Sequence, residues 1–149
     1  MEFEQRLQVL KQVANVAALA GLVGKIGEDG QSFGMSFDTA GGRGQFVYVR
    51  VTGSLPDGHT IVTVFSPARV VDKGMFSGLS KDHAIELLKL NENTFFARFG
   101  IWDMQDKSMI VASSDLILET MDPTELRAHA GYVALAADKY EAAHGGDTF

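Results

Sequence analysis

From Thr94 to Tyr140 the chain reads as a strand, a tight turn, a second strand and a sharply capped helix. This unit constrains the fold more than any other stretch. Phe95, Phe96, Phe99 and Trp102 mark the first strand, Asp103 to Lys107 the turn, and Ser108 to Leu118 the second strand. Asp122-Pro123-Thr124-Glu125 then opens a helix. Asp122 caps it, Pro123 occupies the first helical position, where its missing N–H costs nothing, and Glu125 reaches back to complete a capping box. Leu126, Ala130, Val133, Ala137 and Tyr140 recur at helical spacing and predict its buried stripe.

The remaining chain supplies matching parts. Glu2 to about Ala20 is helical, with Phe3, Leu7, Leu10, Ala14 and Ala17 on one side, and Gly21, Gly24 and Gly27 end it. Phe33 to Phe37 alternates as a first strand. A glycine-rich hairpin loop, Asp38 to Gly44, leads to a second at Phe46 to Val51. The turn Leu55-Pro56-Asp57-Gly58 leads to a third at Thr60 to Phe65, which Pro67 is expected to interrupt or end, since proline cannot donate to a ladder. Asp72 to Gly78 reads as a loop. Ser80 caps a short helix to about Asn91, with Ala84, Leu87, Leu88 and Asn91 on one side. The predicted order is α-β-β-β-α-β-β-α: an α+β fold in which three helices pack a twisted five-stranded antiparallel sheet. Residues 1–143 form one domain, and 144–149 form a flexible tail.

Composition narrows the function classes. The formal net charge is -6, and the 13 Lys and Arg form no basic run, so nucleic acid and anionic membrane surfaces are disfavoured partners. Cysteine is absent, which excludes disulfides, thiolate metal sites and a cysteine nucleophile. The acidic start, Met1-Glu2-Phe3-Glu4, lacks the basic-then-apolar order of a secretory signal. The apolar run Val16 to Val23 is too short to span a bilayer. A cytoplasmic location is expected.

Several segments carry the likeness of a known fold: Leu87-Leu88-Lys89-Leu90-Asn91 leading to Phe95-Phe96-Ala97-Arg98-Phe99, then Leu116-Ile117-Leu118, Asp122-Pro123-Thr124-Glu125-Leu126 and Ala136-Ala137-Asp138-Lys139-Tyr140-Glu141. In element order and in these residues the chain resembles the type III secretion chaperone-like fold, and within it the bacterial family of sensory-transduction regulators. The resemblance implies a helix-packed antiparallel sheet, a homodimer, and a surface on which an extended segment of a partner protein lies. It defines no binding residue by position.

Chemical motifs fail their templates. A phosphate loop around Gly24-Lys25 would need glycine at Leu19 and a hydroxyl at Ile26. Gly41-Gly42-Arg43-Gly44 precedes no helix and has Val47 where the dinucleotide fingerprint needs glycine. Arg43 to Tyr48 resembles an RNA-stacking strand only faintly, and the element order is wrong for that fold. His59, His83, His129 and His144 lack metal-ligand spacing, and Asp82-His83 reads as a solvated first helical turn. Ser113-Ser114-Asp115 lacks a nucleophile elbow. No catalytic, cofactor or metal residue is assigned.

The functional signal is a two-faced sheet. Alternation sets Val47, Val49 and Val51 against Phe46, Tyr48 and Arg50. It also sets Phe95, Ala97, Phe99 and Ile101 against Phe96, Arg98, Gly100 and Trp102. The expected partner-binding residues are Phe46, Tyr48, Arg50, Phe96, Arg98 and Trp102, residue types enriched at interface centres. The function expected is a non-enzymatic, homodimeric protein- or peptide-binding module. The alternatives are a dimeric regulatory or structural domain and a small-ligand binder.

Overall fold

The valine alternation of the middle of the chain builds the sheet on which everything else rests. The computed structural model describes residues 1–72 and 79–144. Its elements are α1 (Phe3–Leu19), β1 (Gly24–Ile26), β2 (Phe33–Asp38), β3 (Gly44–Ser54), β4 (Thr60–Asp72), α2 (Lys81–Glu92), β5 (Arg98–Asp103), β6 (Lys107–Ile117) and α3 (Pro123–Ala143). The loop expected over 72–78 and the tail expected over 144–149 lie outside the described residues except for Asp72, which ends β4, and His144, which caps α3.

The fold is α+β, with three helices and one antiparallel sheet, ordered β1-β2-β3-β4-β6-β5 among the described residues. The sheet has six strands where five were expected. The extra one, β1, lies in the glycine-rich connection after α1 and is three residues long, too short to show alternation. Gly24 is what lets it in, because a Cβ there would meet the Gly34 carbonyl oxygen at 2.4 Å.

Pro67 does not end its strand. β4 continues to Asp72 on β6 through a bulge between Pro67 and Arg69. Pairing with β3 does stop, at Tyr48 opposite Phe65. Continued register would set Phe46 against Pro67. There the Ser66 hydroxyl donates to the Phe46 carbonyl at 2.6 Å, and the buried Gln45 amide donates to Ser66 Oγ at 2.9 Å and to the Pro67 carbonyl at 3.0 Å. Side chains thus replace the ladder that proline cannot make.

Val47, Val49, Val62, Val64, Ile110 and Ala112 are buried with the helices in one core. α3 covers the sheet centre with Leu126, Ala130, Val133, Ala137 and Tyr140, the stripe read from sequence. Its capping box forms as expected, with Asp122 accepting from the Glu125 N–H at 2.8 Å. α1 buries Val9, Leu10, Val13 and Ala17, whereas Phe3 is exposed and lies against Gly30. α1 and α3 are neighbours, joined where Arg127 donates to the Ala20 carbonyl at 3.0 Å. A partly buried ion pair, Arg43 Nε to Asp138 at 2.7 Å, ties the β2–β3 hairpin to α3. Ser80 caps α2 by accepting from the His83 N–H at 3.1 Å, but only Leu87 of the predicted stripe is buried in it. No helix among the described residues is long and apolar enough to cross a membrane.

Candidate functional site

On the side opposite the core, β3, β4 and β5 present Phe46, Tyr48, Arg50, Phe65 and Trp102. The valine side takes the buried stripes of α1, α2 and α3, and this second side keeps Phe46 at 51 % exposure. Tyr48 stacks on Phe65 with ring centroids 5.4 Å apart, and Phe65 meets Trp102 at 4.7 Å. The Arg50 guanidinium lies 3.9 Å from the Trp102 ring centre and 5.4 Å from that of Phe65.

This contact reveals the shape of the face. Phe65 is aligned with Ser113 and Arg98, whereas Trp102 is aligned with Met109 and Val70, well along the strands. Rings so far apart in register meet only if the sheet curls towards this side. The bulge beside Pro67 interrupts the register of β4 at this point, where a strand bends and twists more strongly. Val111, opposite Pro67 and Gly100, is fully buried although it points to this second side. The face is therefore a concave surface with an aromatic floor.

Arg50 is held there in an unusual state. Its Nε is buried and has no hydrogen-bond acceptor among the described residues. Cation–π contact compensates a guanidinium for part of its lost hydration but supplies no acceptor for a directed N–H. Arg50 as a whole is only partly buried and borders open space, so a carbonyl or carboxylate brought by another molecule can meet its guanidinium from that side.

Beside this floor runs a groove of about 430 Å³ lined by Val23, Lys25, Gly34, Ser36, Phe46 and Tyr48. Gly34 pairs with Tyr48 across β2 and β3, and a Cβ on it would sit 3.3 Å from the Tyr48 ring. Glycine lets that ring lie flat along the groove wall. Further along the face, Thr63 donates to Asp115 at 2.5 Å and pairs with Thr52, a polar row that satisfies itself.

Of the six residues expected to bind a partner, Phe46, Tyr48, Arg50 and Trp102 share this face. Phe96 does not. It precedes β5 with a left-handed backbone, φ 60, which takes it out of the alternation. Its ring stacks on His129 of α3 at 4.4 Å and meets Tyr132 at 5.6 Å, so it belongs to the helix side. Arg98 begins β5, but its guanidinium turns back to the carbonyls of Thr94 and Ala97 at 2.8 and 2.7 Å. Phe65 was missed, although Thr63 and Phe65 alternate with Val62 and Val64 as plainly as their partners on β3 do.

The sheet edges offer less than the face. On β5 the Phe99 N–H donates to Asn91 Oδ1 at 2.6 Å, and Asn91 Nδ2 donates to the Phe99 carbonyl at 3.2 Å. The Asn91 amide thus occupies positions an added strand would need. His83 and His129 are bonded within the fold, and for His83 this departs from the solvated first turn expected of Asp82-His83. His83 bonds to the Tyr140 hydroxyl, and His129 bonds to Ser114 at 2.7 Å. Burial lowers both imidazoles below their ordinary value, and for His83 the neighbouring His144 adds to the effect.

Compared with known proteins, the chain matches no family model and no curated sequence.

Proposed function

We propose that this chain is a non-enzymatic binding module that holds an extended segment of a partner protein on the curled aromatic face. The observation that carries the reading is Arg50, pressed against Trp102 and Phe65 with its Nε shut from water and lacking an acceptor. A carbonyl or carboxylate of the bound segment meets the guanidinium on its open side. Apolar side chains of the segment occupy the groove beside Phe46 and Tyr48. Rigid aromatic rings give contact area at low entropic cost, and the arginine gives direction. This is the role implied by the likeness to type III secretion chaperones and to sensory-transduction regulators of that fold, acting in the cytoplasm as a homodimer.

The test is selection of peptides from a displayed random library on the native chain, followed by titration against Arg50→Gln and Phe46→Ser. Binders that both substitutions weaken about 10-fold or more support the reading. A folded chain that selects no peptide, or whose binders ignore both substitutions, overturns it.

A second reading, a dimeric regulatory domain whose partner is its own copy, is favoured by a different patch. Leu88, Phe95 and Ile101 are 69 %, 72 % and 50 % exposed, and two of them border a cavity of about 300 Å³ between α2 and β5. Sedimentation of Leu88→Asp separates the two readings. A variant that becomes monomeric yet still binds selected peptides leaves the first standing.

A further inference from the structure

Tyr140 organises two imidazoles that are far apart in the chain. Its hydroxyl bonds to His83 Nε2, its carbonyl accepts from His144 Nδ1 at 2.8 Å, and its ring stacks on His144 at 4.1 Å. Among the described residues these bonds leave one ring nitrogen on each histidine without a hydrogen bond: Nδ1 of His83 and Nε2 of His144. Glu86, one turn along α2, brings a carboxylate oxygen to 4.0 Å from His83 Nδ1. Among the described residues the donor atoms of His83, Glu86 and His144 all lie within 4.8 Å of one another.

We propose that His83, Glu86 and His144 form a binding site for a divalent cation of the zinc class, clipping the start of α2 to the end of α3. Two neutral imidazoles and one carboxylate are the donor set that borderline cations such as Zn²⁺ prefer over oxygen-seeking Mg²⁺ or Ca²⁺. Donors on one such ion lie about 3.3 Å apart, given metal–ligand bonds near 2.1 Å, so the three must close by up to about 1.5 Å. Glu86 and His144 are exposed and can move that far without disturbing the core. In metal sites the second ring nitrogen of each histidine is held by an outer group that fixes tautomer and orientation. Here Tyr140 does this for both rings. The Arg69 charge opposes a cation near His83, and the Glu86 carboxylate offsets it. Water completes the coordination on the open side.

The proposal is independent of peptide binding. Its test is calorimetric titration of the untagged, chelator-treated chain with Zn²⁺, alongside the same titration of His144→Ala, Glu86→Gln and, as a control, His59→Ala. His59 belongs to the Asp57 turn on another part of the chain. The expected result is saturable one-to-one binding with a rise in the thermal midpoint. Binding should weaken at least ~10-fold in the first two variants and stay unchanged in the third. Co²⁺ should then give visible absorption bands that the His144→Ala chain lacks. Absence of Zn²⁺ binding by the native chain overturns the site. So does equal affinity in His144→Ala, which remains foldable because the substituted ring is exposed at the helix end.

Discussion

Phe96 holds a left-handed backbone, φ 60, that costs a non-glycine residue about 1–2 kcal/mol. The ring contacts with His129 and Tyr132 offset that cost. Substitution separates the two effects. Phe96→Ala loses the ring and keeps the strain, while Phe96→Gly loses the ring and relieves it. Chemical denaturation should therefore find the glycine variant more stable than the alanine variant by about 1 kcal/mol, against the usual order. His129, beneath that ring, titrates in a direction burial dictates. Its folded value is lowered, against the pull of Glu125, so the unfolded chain binds the proton more readily. Stability is then intact above the unfolded value near 6.5 and falls as pH drops through it, levelling only below the folded value. Between about pH 7.5 and 5.5 the thermal midpoint of His129→Gln should fall less than that of the native chain. An equal fall would assign the titration elsewhere.

At the scale of elements, Asn91 shows a polar residue at a stripe position doing what an apolar one cannot. It lies on the side of α2 that carries Ala84 and Leu87, and its amide binds both backbone groups of Phe99. Asn91→Ala should cost about 1–3 kcal/mol and speed hydrogen exchange at the Phe99 amide above that of its paired neighbours. Unchanged protection there would mean the edge is closed by something else. Elements set by local chemistry were legible in the sequence. The Asp122 and Ser80 caps, the α3 stripe and the valine alternation each depend on neighbours within a few residues. What escaped depends on distant partners. β4 passes Pro67 because β6 pairs along it and Gln45 covers the proline carbonyl, and neither fact is visible near residue 67. Phe96 looked like strand because its spacing fits, although its backbone breaks the alternation.

At the scale of the molecule, the two-sided sheet was readable but its curl was not, since curl sums a bulge, a register and the twist of several strands. Three of the six expected binding residues fell on one face because period-two alternation is robust within β3, and Trp102 joined them from β5. Phe96 fell elsewhere because β5 starts later than its aromatic run. The meeting of His83 and His144 needed the whole topology, which sets the start of α2 beside the end of α3. That same topology bears on synthesis. α3 is made after every strand it covers, and it also fastens the end of α1 through Arg127. Until α3 has emerged from the ribosome, the part of the valine surface it covers stays bare. The nascent chain is therefore open to wrong associations until α3 docks on the sheet, unless a chaperone shields it.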